Sequence, residues 1–128
     1  MSVLIIAGST SDGEIVKRVE KTLDEYKIEY RTEYASAHRE PERVRKIVKN
    51  SDAKIFIAIA GLSAALPGFV ASYTKKPVIG VPVSAKLNGL DAFLAIAQLP
   101  RGVPVATVGV DNGENAAHLA KRILDLSG

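Results

Sequence analysis

Ser36-Ala37-His38-Arg39-Glu40-Pro41 puts a hydroxyl, an imidazole and a guanidinium into four consecutive residues, followed shortly by a proline that can open a helix. Histidine has an unperturbed pKa near neutrality, so it can both give and take a proton at ordinary pH. Arginine offers a fixed fork of donors that fits phosphate or carboxylate. A second stretch, Gly8-Ser9-Thr10-Ser11-Asp12, sets hydroxyls and backbone donors at the head of a helix, the ingredients of an anion site. It is neither a P-loop, since no lysine follows a second glycine at the required spacing, nor a G-x-G-x-x-G fingerprint. Asp12 repels phosphate and is read as an acceptor for sugar hydroxyls; the plainer alternative is that Ser11 or Asp12 caps the helix. In a third stretch, Gly61-Leu62-Ser63, the glycine lets backbone approach a ligand closely, and Ser63 either meets that ligand or caps the next helix. Pro82–Gly89, with Ser84, Lys86 and Asn88, is read as a loop that closes over the site. The other histidine, His118, falls mid-helix one turn after Glu114 and is read as a surface residue.

These stretches need a frame that gathers them, and the hydrophobic pattern supplies one. Five apolar runs alternate with five helical patterns. The predicted strands are Val3–Ala7, Ile28–Tyr34, Lys54–Ala60, Pro77–Val81 and Val103–Val110. The predicted helices start at Gly13 and cover Pro41–Asn50, Ala64–Tyr73, Leu90–Leu99 and Asn112–Leu126, with Asp111 or Asn112 as the last N-cap. Ile15, Val16, Val19, Leu23 and Tyr26 recur at the helical period. Strict alternation predicts an α/β fold with a five-stranded parallel sheet between two layers of helices. Ligands in such sheets bind beyond the carboxyl ends of the strands, where all the stretches named above fall.

Two helices are apolar nearly all round, Ala64–Ala71 and Leu90–Ala97. A helix hydrophobic on every side is a buried one. In a chain of 128 residues one face can cover the sheet and only another subunit can bury the other, so a homo-oligomer is expected. The chain has no cysteine, which excludes thiolate catalysis, disulfides and zinc-thiolate sites. Two separated histidines argue against a structural metal. A net charge of +3 favours anionic ligands, but the basic residues are not interleaved with aromatics as a single-strand nucleic-acid binder requires. No apolar run reaches the ~20 residues that span a bilayer. Met1–Ala7 lacks the basic start of a signal peptide, so a cytoplasmic chain without membrane partners is expected.

The combination of stretches is similar to one family. Gly8–Asp12, Ser36–Arg39, Leu66-Pro67-Gly68, Pro77–Val83, Asn88-Gly89-Leu90-Asp91 and Gln98–Ala106 resemble, in order and over nearly the whole chain, the small subunit of phosphoribosylaminoimidazole carboxylase and the related mutases of purine biosynthesis. The resemblance implies a single nucleotide-binding carboxylase/mutase domain over residues 1–128, a flavodoxin-like fold and an octamer, with no metal or organic cofactor. It implies that Ser9 and Asp12 bind a ribonucleotide, that Ser36 and Arg39 hold its phosphate, and that His38 is the general acid/base. Gly8, Ser11, Gly61 and Ser63 complete the expected binding set.

The family has two branches that form the same product, 4-carboxy-5-aminoimidazole ribonucleotide. One takes carbon dioxide onto aminoimidazole ribonucleotide and is a carboxy-lyase. The other, an isomerase, moves a carboxyl group from the exocyclic nitrogen of N5-carboxyaminoimidazole ribonucleotide. The mutase branch typically reads Ala-Gly-Gly-Ala-Ala-His-Leu-Pro-Gly after the third strand. Ala65 here replaces its histidine, and Ser63 stands where the carbon dioxide branch has serine. Pro67, Gln98 and the stretch from Pro82 to Val105 resemble the mutase branch, which also usually continues a few tens of residues past the position of Gly128. Weighting residues beside the site, the expectation leans to direct carboxylation, with carbon dioxide held by Leu62, Ala64 and Ala65. A reading of another class is a flavin mononucleotide module of the same fold, against which stands the lack of Trp and of loop aromatics to sandwich the ring. A phospho-acceptor receiver needs an aspartate at the end of the third strand, where this chain has Ala60-Gly61.

Overall fold

The structure, a computed structural model, describes residues 1–85 and 87–127; Lys86 of the loop singled out above lies outside the described residues. The elements follow in the order β1 (Val3–Ala7), α1 (Gly13–Glu25), β2 (Tyr30–Tyr34), α2 (Pro41–Asn50), β3 (Ile55–Ala60), α3 (Leu66–Ala71), β4 (Val78–Pro82), α4 (Leu90–Ala97), β5 (Ala106–Thr107) and α5 (Gly113–Asp125). The strands form one five-stranded sheet in the order β2-β1-β3-β4-β5, and every pairing is parallel. This is the flavodoxin-like order, with its switch point between β1 and β3.

The period-two alternation of the strands divides the core into two layers. Val3, Ile5 and Ala7 of β1 point to the side covered by α1 and α5, where Val16, Val19, Leu23 and Ala116 are buried. Leu4 and Ile6 point to the other side, against Val44 and Val48 of α2, Val70 of α3 and Ile96 of α4. Both faces of β1 and β3 are therefore apolar, which is why their sequences run without a polar break. Each such side chain, fully buried, favours folding by about 1.5–3 kcal/mol.

Several boundaries differ from the sequence reading, each for a local reason. β5 pairs only through Ala106 and Thr107, against the longer strand predicted over Val103–Val110. It is an edge, and Pro104 has no N–H to donate to a ladder. β2 starts at Tyr30, not Ile28, because Lys27 turns the chain through the left-handed region at φ 58° and the Ile28 N–H still caps α1 by donating to the Leu23 carbonyl. α3 starts at Leu66, not Ala64, since Ser63 is itself left-handed at φ 49°. α4 ends at Ala97 because Gln98 is already extended, two residues before Pro100. Lys54, placed in the third strand, is exposed and precedes β3. Among the described residues, no helix is long and apolar enough to cross a membrane.

Candidate functional site

A parallel sheet sends every βα connection to the same edge. The connections after β1, β2, β3 and β4 meet there around a cavity of about 540 Å³. All nine candidate residues of the sequence reading border it: Gly8, Ser9, Ser11 and Asp12 after β1, Ser36, His38 and Arg39 after β2, and Gly61 and Ser63 after β3. Leu62, expected from the sequence to hold carbon dioxide, also borders it; Leu66, and Val83 and Ala85 after β4, border it without having been singled out from the sequence. Only the position of the last two behind a strand could have pointed to them.

The first loop is not a simple helix cap. Ser9 caps a short 3-10 turn over Thr10–Asp12, its Oγ accepting from the Ser11 N–H at 3.2 Å and from the Ser11 hydroxyl at 3.0 Å. Asp12 occupies the N-cap position of α1, yet its side chain makes no capping bond. Neither Ser11 nor Asp12 caps α1 through its side chain, so the capping alternative does not describe this loop. The Asp12 residue is only 6% exposed. Burial pushes its carboxyl above the ordinary carboxylate value, and the Ser9 backbone N–H offsets part of that rise.

The folded protein holds the Asp12 proton more tightly than the unfolded chain, so ionising Asp12 costs stability, and stability falls as pH rises from the ordinary carboxylate value through the raised one. Asp12→Asn removes the cost. Urea denaturation from about pH 3 to pH 7 should show the variant gaining on the parent as pH rises, then running parallel above the raised value. A gap that shrinks with rising pH would contradict this account of the carboxyl.

The β2 connection is held by its own side chains. Ser36 Oγ accepts from the Arg39 N–H at 3.2 Å, and the Ser36 carbonyl accepts from the Glu40 N–H at 2.9 Å. The Ser36 hydroxyl proton stays available for an anion. Pro41 opens α2. From the first turn of α2, Arg43 reaches back to the Tyr34 carbonyl and to Glu33 at 3.2 Å, tying the end of β2 to the turn that carries His38 and Arg39. Both of those side chains are exposed at the cavity. His118 lies elsewhere, exposed on α5 with its Nδ1 2.6 Å from the Tyr26 hydroxyl.

The third loop departs from its expected use. A Cβ on Gly61 would stand 3.3 Å from the Val83 carbonyl oxygen and 3.7 Å from the Ala85 Cβ, so the glycine lets the β4 connection approach as well as a ligand. Ser63 caps no helix through its hydroxyl; its carbonyl accepts from the Ala65 N–H at 2.7 Å in a tight left-handed turn. Leu62, Ala64 and Ala65 do not line one pocket. Leu62 borders the main cavity and is 63% exposed. Ala64 and Ala65 face a second, apolar groove of about 520 Å³ with Phe69, Ala95 and Leu99. The left-handed turn at Ser63 separates the two, and His38 and Ser63 border both. Among the described residues, no three His, Cys, Asp or Glu side chains group as metal ligands would.

Fold and cavity together define a flavodoxin-like α/β protein with a polar-lined cavity at the carboxyl edge of its sheet, and comparison with known proteins narrows the class. The family described as AIR carboxylase matches residues 2–128. An N5-carboxyaminoimidazole ribonucleotide mutase of Methanocaldococcus jannaschii is 60% identical over 97% of this chain and 79% of its own length. A phosphoribosylaminoimidazole carboxylase of Schizosaccharomyces pombe is 47% identical over 94% of this chain, which spans only 22% of that protein. The crystal structure of Treponema denticola PurE superposes with a TM-score of 0.89 at 34% identity, covering 98% of this chain and 81% of that one. The chain belongs to the AIR carboxylase family and is an enzyme.

Proposed function

We propose that residues 1–128 form one nucleotide-binding carboxylase/mutase domain that makes 4-carboxy-5-aminoimidazole ribonucleotide in purine biosynthesis. The observation that carries this reading is the meeting of Ser36, His38 and Arg39 with Ser9 and Asp12 around one cavity, in a member of this family. Arg39 and the Ser36 hydroxyl take the phosphate, Asp12 accepts from ribose hydroxyls, and the ring lies toward Gly61 and His38. The ring carbon beside the amino group is enamine-like. Its electron pair forms a bond to carbon dioxide, leaving that carbon with both a proton and the new carboxylate. His38 takes the proton, the pair returns to the ring, and aromaticity is restored. Fixing the nucleotide at its phosphate and ribose supplies orientation for the attack.

The first reading for the carboxyl donor is the N5-carboxylated nucleotide, as in the name of the Methanocaldococcus relative, which shares 60% of its aligned residues with this chain. His38 then gives a proton to the exocyclic nitrogen as its bond to the carboxyl carbon breaks. It takes one back from the ring carbon, so the net change is a moved carboxyl group. Ser63-Ala64-Ala65 supports the second reading, free carbon dioxide as donor, because the mutase branch carries a histidine at the position of Ala65. The test offers aminoimidazole ribonucleotide with bicarbonate, and separately the N5-carboxylated nucleotide, and compares kcat/KM. Preference for the N5-carboxylated form supports the mutase reading, preference for bicarbonate the carboxylase reading, and failure on both overturns the assignment.

The domain works as a homo-oligomer, with the octamer as the family's form. Leu90 is 57% and Leu94 44% exposed on α4, and the apolar groove between α3 and α4 opens beside His38. A second copy covering this face would close the site against water. Light scattering on the assayed protein reads the assembly, and an active monomer would contradict it.

A further inference from the structure

The β4 connection supplies the wall of the cavity formed by Val83, Ser84 and Ala85. Among the described residues, backbone bonds anchor this wall at its root, where the Val83 N–H donates to the Ala60 carbonyl at 3.0 Å. Beyond that point it is held from a distant part of the chain. Asp111, in the turn between β5 and α5, accepts the Ser84 N–H at 2.8 Å on Oδ1 and the Ser84 hydroxyl at 2.6 Å on Oδ2. The Asp111 N–H in turn donates to the Pro82 carbonyl at 2.8 Å. Its own carbonyl accepts from Arg18 of α1 at 3.4 Å, and Arg18 is paired with Glu14 at 2.9 Å.

Asp111 holds this posture in the left-handed region, at φ 61°. Few residue types tolerate that conformation; Asp, Asn and Gly are among them. Gly and Asn therefore keep the turn, whereas only Asn keeps an oxygen that can accept the Ser84 N–H. Nothing in the mechanism above uses Asp111, and it does not border the cavity.

We propose that Asp111 is a positioning residue for the ligand cavity, clamping Ser84 so that the Val83–Ala85 wall stands at a fixed distance from the turn that carries His38 and Arg39. The clamp rests on the proposed function for its substrate but on geometry for its existence. The wall lies on the β4 side of the cavity, and His38 comes from the β2 connection. Releasing it weakens substrate and transition state alike, which raises KM and spares kcat.

The test compares Asp111→Gly with Asp111→Asn, at a temperature below both unfolding midpoints. Steady-state kinetics with whichever ribonucleotide the parent protein uses should show KM rising about tenfold in the glycine variant, kcat within about twofold, and the asparagine variant close to the parent. The Ser84 amide should exchange with solvent faster in Asp111→Gly only. Equal behaviour of the two variants, or a fall in kcat at constant KM, would overturn the proposal. A parent protein inactive on both nucleotides would instead overturn the proposed function, and the exchange rate of the Ser84 amide would still decide whether the clamp exists.

Discussion

Replacing His38 by Asn should leave ribonucleotide binding within a few-fold of the parent and lower turnover by about two to four orders of magnitude, the usual contribution of a positioned acid or base. Asparagine keeps much of the imidazole's size and polarity, so the cavity keeps its shape. What it lacks is a ring nitrogen that can take up and give back a proton. The only other histidine, His118 on α5, is bonded to Tyr26 at the end of α1 and does not border the cavity. No second imidazole in this chain is placed to stand in. Calorimetric binding and single-turnover kinetics on one preparation separate the two effects. Near-normal turnover would remove His38 from the chemistry, and loss of binding in step with turnover would make it a contact.

Replacing Arg39 by Ala should do the opposite. Arg39 is exposed and borders the cavity one residue past His38, with the Ser36 hydroxyl in the same turn. A charge-assisted bond to phosphate is worth about 1.5–3 kcal/mol, so affinity for the ribonucleotide should fall by roughly ten- to a hundredfold. Affinity for the matching nucleoside should barely change. Because both partners are charged and the arginine is exposed, the difference between parent and variant should also narrow as salt rises. Equal losses for nucleotide and nucleoside would mean that Arg39 shapes the loop and does not hold the phosphate.

The fold was legible where side chains alone decide it. β1 and β3 are apolar on both faces, as strands covered by helices on both sides are. Ser36–Arg39 could be placed at the ligand edge because strict alternation forces parallel strands, and parallel strands send all their outgoing loops one way. Legibility failed where backbone geometry decides. The left-handed turns at Lys27 and Ser63 moved two boundaries, and Pro104 with an edge position shortened β5 to two residues. The turn at Ser63 also separates Leu62 from Ala64 and Ala65, which the sequence alone suggests as one pocket. The Asp111–Ser84 pairing joins residues 27 apart through side chains whose types are unremarkable in loops. No pattern of hydrophobicity or spacing marks such a contact.

In the proposed reaction His38 removes the proton from the ring carbon that gains the carboxyl group. The most direct measurement uses the substrate carrying deuterium at that carbon and follows its release into water alongside product formation. Release should keep step with product in the parent protein, and both should be lost in His38→Asn. Deuterium released by the variant at the parent's rate would contradict that role for His38.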